Sequence, residues 1–218
     1  MSEIVTTEKY KFTEEWFKPM IPYWEENFQK YHEYRNDLNL GPIQRVLEIG
    51  CYEGMATVWL CENILIDKKI KYIYDVIDSF EGSLEETGMQ DTQSKLNKDK
   101  NFIENNFKHN TLFFKQIKFN IIKGLSHKIL PTLKEVEKYD FIYIDASHRA
   151  DDTFVDGYYA HKLLKKGGML IFDDYGWKDP EDSRSVSSPE DGIRMFCEFY
   201  GDEYKGCLTG YQIGMIKC

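Results

Sequence analysis

Arg45-Val46-Leu47-Glu48-Ile49-Gly50-Cys51-Tyr52-Glu53-Gly54 decides the fold. An apolar run ends in an acidic residue and two glycines, then passes into a helical pattern carried by Met55, Val58, Trp59 and Leu60. This pattern predicts a buried strand, a tight glycine turn and a helix N-terminus, the unit that cradles nucleotide-like cofactors in open α/β sheets. Glycine lets the backbone approach a ligand with no Cβ in the way. The spacing is Glu-x-Gly-x-x-x-Gly, whereas a pyrophosphate-binding loop is Gly-x-Gly-x-x-Gly. A phosphate-free cofactor with an amino-acid arm, S-adenosylmethionine (SAM), therefore suits this loop better than NAD.

Outward from this loop, strand-like runs recur at Lys71–Ile77, Asn120–Lys123, Tyr139–Ile144 and Gly168–Phe172. A helical segment with Val155, Tyr159 and Leu163 on one face precedes the last run, and Lys165-Lys166-Gly167-Gly168 suits that helix's C-terminus. The alternation predicts an α/β fold with a doubly wound, mainly parallel, Rossmann-like sheet. Tyr204–Leu208 and Tyr211–Lys217 around Thr209-Gly210 predict a C-terminal antiparallel hairpin. No repeat or linker is visible, so residues 1–218 are expected to form one domain.

Two additions flank this core. Residues 13–35 carry Trp16, Phe17, Met20, Tyr23, Trp24, Phe28 and Tyr31 at helical spacing. Thr13-Glu14-Glu15 suits a helix start, and Pro22 is expected to break or bend that helix at its middle. The stripe reads as a helix packed on the domain, or as a cap or homo-oligomer surface. Residues 82–109 are polar with a weak stripe of Leu96, Ile103 and Phe107, and are expected to form a lid-like insertion. Trp177–Asp191, rich in Pro, Ser and acidic residues, also follows a strand end.

The 218 residues hold 14 Phe, 15 Tyr and 4 Trp, with a net charge of −9, which supports a folded core and disfavours nucleic-acid binding. Five cysteines, Cys51, Cys61, Cys197, Cys207 and Cys218, contain no Cys-x-x-Cys pair, which argues against a disulfide framework or zinc site. With a polar, acidic N-terminus and no apolar run of spanning length, the chain is expected to be cytoplasmic and away from membranes.

Acidic residues end the runs: Glu48, Asp78, Asp145, Asp173 and Asp174. In a parallel sheet these ends share one edge and converge on one crevice. Asp78 suits a ribose diol, because a carboxylate only accepts and can take two donors. Asp145, Asp173 and Asp174 would repel one another unless a proton or cation intervened, and oxygen donors favour Mg²⁺ or a similar ion over zinc. His148, three residues after Asp145, could ligate, take a proton or hold a loop. Arg149, Asp151 and Asp152 read as solvated loop and helix-start residues.

Val46–Gly54, Asp78-Ser79-Phe80-Glu81-Gly82, and Ile144-Asp145 with Phe172-Asp173-Asp174-Tyr175-Gly176 resemble class I SAM-dependent methyltransferases. The resemblance runs from about Arg45 to Phe199 and narrows to the macrocin-type, metal-dependent O-methyltransferases and their relatives. It implies that Glu48, Gly50, Cys51, Tyr52, Gly54, Asp78, Ser79 and Asp145 surround SAM. It further implies that Asp145, Asp173 and Asp174 bind Mg²⁺, and that the acceptor is a small hydroxylated molecule such as a sugar or catechol-like diol. Ser147 stands where that family places an acidic candidate base, so His148, with Asp145, is the catalytic candidate. A non-catalytic SAM-fold protein and a methyltransferase acting on nitrogen or a macromolecule are the alternatives; no Asn/Asp-Pro-Pro-Tyr/Phe signature is present.

Overall fold

The computed structural model describes residues 9–82, 90–178, 188–208 and 210–218. Seven strands form one sheet in the order β3-β2-β1-β4-β5-β7-β6. They are β1 (Arg45–Ile49), β2 (Tyr72–Asp78), β3 (Ile117–Lys123), β4 (Tyr139–Ile144), β5 (Leu164–Phe172), β6 (Tyr204–Leu208) and β7 (Ile213–Lys217). β1 to β5 pair in parallel, while β7 lies antiparallel between β5 and β6. The expected doubly wound sheet and C-terminal hairpin are both present, and the chain order reverses on either side of β1.

Period-two alternation sends successive side chains to opposite faces. Val46, Tyr74, Val76, Phe141, Tyr143 and Ile171 meet α1 (Ile21–Asp37), α2 (Met55–Asn63) and α4 (Phe102–Thr111) on one face. Leu47, Ile49, Ile142, Ile144, Leu170 and Phe172 meet α6 (Ala150–Leu163) and α7 (Pro189–Tyr200) on the other. Two further helices, α3 (Gln90–Lys98) and α5 (Ser126–Ile129), are present among the described residues. Among the described residues no helix is long and apolar enough to cross a membrane, and Cys51, Cys61, Cys197 and Cys218 are free.

The N-terminal aromatic helix differs from expectation. α1 begins at Ile21 after a 3-10 turn at Lys18–Met20, so Pro22 opens the helix instead of bending its middle. Proline fits the first turn, where its missing N–H would have no partner. Trp24, Phe28 and Tyr31 are buried within the chain itself. Trp24 meets Tyr143 edge-on at 4.9 Å and Phe17 at 4.7 Å, contacts worth about 0.5–1.5 kcal/mol each beyond burial. Thr13-Glu14-Glu15 precedes the helix as irregular chain, with a bend at Thr13.

Lys165 and Lys166 lie in β5 and do not end the preceding helix; His161 and Lys162 occupy its last turn. The Lys165 ammonium instead pairs with buried Asp140 at 2.9 Å. β3 starts at Ile117, three residues before the expected run. In the 82–109 insertion, Leu96, Ile103 and Phe107 are buried, so its second helix is built into the core. Its residues 83–89 lie outside the described residues, as do 179–187 of the Trp177–Asp191 segment.

Candidate active site

The turn after β1 is shaped by close backbone approach. Gly50 has φ of +81°, and a Cβ there would sit 1.7 Å from the Asp145 carbonyl oxygen. Only glycine fits between the ends of β1 and β4. Gly54, at φ +82°, leads into α2, and its missing side chain admits Phe107, which would lie 2.8 Å from a Cβ. The carboxylate of Asp78 organises the turn between them. Its Oδ2 accepts the Cys51 and Tyr52 N–H groups at 2.6 and 2.9 Å, and its Oδ1 accepts Phe80 N–H at 2.6 Å. Burial, with Asp78 close by, pushes the Cys51 thiol well above its ordinary value, so it remains protonated.

Across β1, Asp145 follows β4 and Asp173-Asp174 follows β5. The Tyr143 hydroxyl lies 3.2 Å from Asp145 Oδ2 and hydrogen-bonds Asp173 Oδ2 more closely. Gln212 Nε2 donates to Asp173 Oδ2 at 2.9 Å, while Gln212 Oε1 accepts the Trp24 indole N–H at 2.7 Å. Asp174, held at φ +60°, accepts the Tyr211 hydroxyl at 3.0 Å and pairs with His148 Nε2 at 3.1 Å. The His148 ring stacks on Trp177 with centroids 4.4 Å apart. Burial, then Asp173 and Asp174, push the Asp145 carboxyl well above the usual range. Burial and then Asp174 raise Asp173 to about 6. One tyrosine hydrogen cannot serve two carboxylates, so a proton on Asp145 or a nearby cation must relieve the pair.

Gly50, Cys51, Tyr52, Asp78, Ser79, Asp145, His148, Asp173 and Asp174 all line one open cavity of about 1170 Å³ at this sheet edge. Residues 47–175, more than half of the chain, match the model of a family described as a methyltransferase domain. The chain belongs to this methyltransferase family. Its fold is shared with solved structures at low identity. A protein from Klebsiella pneumoniae assigned as an O-methyltransferase is 17% identical, with 87% of this chain and 80% of that one covered and a TM-score of 0.53. An O-methyltransferase from Bacillus cereus, solved with S-adenosylhomocysteine (SAH), is 20% identical over 87% and 81%, with a TM-score of 0.52. The O-methyltransferase NovP is 18% identical over 86% and 79%, with a TM-score of 0.56. No curated protein matches the sequence.

Within this methyltransferase, two expected cofactor residues lie elsewhere. Glu48 is buried on the α2 side of the sheet, where Thr57 and Tyr74 donate to it at 2.5 and 2.7 Å. Burial raises its carboxyl to about 7, against the pull of those hydrogen bonds. It braces β1, β2 and α2 together from behind the cavity wall. Gly54 likewise packs against Phe107 and does not line the cavity. Asp78 is expected at the ribose, yet three of its acceptor positions already hold the loop.

The expected three-aspartate cation site is not formed as the side chains stand. Among the described residues no group of three or more His, Cys, Asp or Glu is arranged to hold a metal ion. Asp173 gives both oxygens to hydrogen bonds, Oδ2 to Tyr143 and Gln212 and Oδ1 to the Asp174 N–H. The donor chemistry, hard oxygens that repel one another, nonetheless fits a divalent cation. Tyr143, Gln212, Tyr211 and Trp177 join the site without a signal in the sequence. Tyr143 reads as an ordinary strand residue, and Gln212 and Tyr211 reach Asp173 and Asp174 only because β7 returns beside β5. Asp152, which the sequence reads as a solvated residue, also lines the cavity, as does His127.

Proposed function

We propose that this methyltransferase moves the SAM methyl group to a hydroxyl oxygen of a small acceptor with adjacent hydroxyls, a sugar or catechol-like diol, assisted by a divalent cation. The observation that carries the reading is the shared cavity: the glycine turn and Asp78 lie on one side, and Asp145, Asp173, Asp174 and His148 on the other. SAM supplies a methyl on a positively charged sulfur. In the in-line displacement the acceptor oxygen bonds to that carbon as the carbon–sulfur bond breaks, leaving SAH and a methyl ether. Alignment of the reacting atoms can contribute about 7–11 kcal/mol at best.

Gly50, Cys51 and Tyr52 leave backbone room for the amino-acid end of SAM, and Asp78 retains capacity for a ribose hydroxyl. His148 takes the acceptor proton, with Asp174 fixing its Nε2 and Trp177 fixing its ring plane. Asp145, Asp173 and Asp174 would hold the cation, which lowers the pKa of a bound hydroxyl. Their mutual repulsion supports this part of the reading. The test is transfer of isotopically labelled methyl from SAM to a panel of diols with Mg²⁺ or with chelator. Methyl ethers formed with Mg²⁺ and absent with chelator are expected. Full activity in chelator would remove the cation, and transfer confined to nitrogen acceptors would contradict the reading.

A further inference from the structure

The cavity is large enough for an acceptor beside the cofactor, given that ligand pockets commonly span about 300–1,000 Å³. Part of its wall comes from the segment before α1, including Glu14, Glu15 and Trp16. This segment is tied to the turn after β1. Buried Glu53 accepts the Thr13 N–H at 2.5 Å and the Thr13 hydroxyl at 3.1 Å, and the Trp16 and Tyr52 rings lie 5.1 Å apart. Trp16 remains 52% exposed, so its indole surface is open to a ligand.

The charges around this cavity are strongly one-sided. Besides Asp78, Asp145, Asp173 and Asp174, the described lining includes Glu14, Glu15, Glu81 and Asp152. Against these eight carboxylates it includes one arginine, Arg149, and no lysine. Arg149 pairs with Asp151 and Asp152, and the two histidines of the lining, His127 and His148, face Asp152 and Asp174. Near the rim, Lys18 pairs with Glu15 and Lys178 with Glu190. The chain as a whole carries 28 Lys and Arg for 37 Asp and Glu, so the bias of the cavity far exceeds that of the protein.

A cleft lined by one sign of charge concentrates ligands of the opposite sign and repels those of its own. SAM adds one net positive charge and a divalent cation two, which leaves the carboxylates in excess. We propose that the acceptor site is built for a cationic acceptor. The acceptor is a hydroxylated molecule carrying a protonated amine, which the Trp16 and Tyr52 rings and the Glu14 carboxylate receive, with Glu15 exchanging its exposed Lys18 partner for the amine. A carboxylate near an aromatic face is a favourable setting for an ammonium group. Acceptors bearing phosphate or carboxylate are turned away, since no lysine and no second arginine is among the described lining to meet them. This inference rests on the O-methyl transfer reading for its substrate but makes a separate claim about charge.

Two catechols of opposite charge test it: dopamine, a cation, and 3,4-dihydroxybenzoate, an anion. Binding to the SAH-loaded full chain is followed by calorimetry at low and high salt, with Mg²⁺ present. Dopamine is expected to bind at least tenfold more tightly at low salt. That ratio should shrink in high salt and fall below threefold in a Glu14→Lys/Glu15→Lys double variant. Equal affinities, tighter binding of the acid, or no binding of either would overturn the inference. Labelled-methyl transfer to neutral 4-methylcatechol separates the two claims. Transfer without charge preference would sink the inference and keep the transfer reading, whereas charge preference with no catechol methylated would do the reverse.

Discussion

Asp78, the last residue of β2, and Asp145, the first after β4, stand at the ends of the two strands that flank β1, yet their surroundings are opposite. Asp78 meets three backbone N–H groups from the turns beside it. Asp145 meets other carboxylates and a single shared tyrosine hydrogen, and burial with those charges pushes it towards the protonated state. A carboxylate ringed by N–H donors builds structure. One crowded by its own kind is poised to receive a proton or cation. One side of the cavity thus holds a loop in shape, and the other keeps chemical potential unspent.

The largest effect is expected where the two sides touch. Gly50→Ala would drive a Cβ into the Asp145 carbonyl at a positive φ, and should cost about 3 kcal/mol or more, enough to prevent folding in a marginally stable domain. Urea denaturation checks this; a loss below about 1 kcal/mol would mean that β1 and β4 separate easily and the two sides are less coupled than described.

A smaller effect sharpens the comparison away from the cavity. Asp156 in α6 is buried, and neither of its oxygens has a hydrogen-bond partner among the described residues. Burial raises it to about 7, with the nearby Ser126 hydroxyl, outside good hydrogen-bond geometry, acting the other way and Asp152 adding to the rise. A carboxyl raised on folding favours the native state below its unfolded pKa near 4, and that contribution disappears as pH climbs to about 7. Asp156→Asn should therefore gain relative stability between pH 5 and pH 8, by about 1–3 kcal/mol. Parallel melting curves for wild type and variant would contradict this.

Much of this arrangement is legible in the sequence, because strand runs and glycine turns are local signals. Gly50 and the strand-end aspartates land on one edge as the alternation implies. Glu48 departs from the expected cofactor side because a strand residue faces one side of the sheet, and period two puts it with Val46, towards α2. α1 starts later than its apolar spacing implies, because Trp16 and Phe17 continue that spacing while their backbone does not: one ring sits beside Tyr52 and the other packs on Trp24. The Tyr143–Asp173–Gln212–Trp24 connection needs four elements distant in sequence, so no local pattern announces it.

The division of labour between the two sides is tested most directly by measuring SAH affinity and methyl-transfer rate together for Asp78→Ala and Asp174→Asn. Losing Asp78 leaves three N–H groups without their partner, at about 1–3 kcal/mol for each fully buried donor and less where water can reach. SAH affinity should fall by about a hundredfold in Asp78→Ala. Asp174→Asn should hold SAH within about threefold of wild type while turnover falls by about a hundredfold or more. Equal loss of SAH affinity in both variants, or near-normal turnover in Asp174→Asn, would contradict the account.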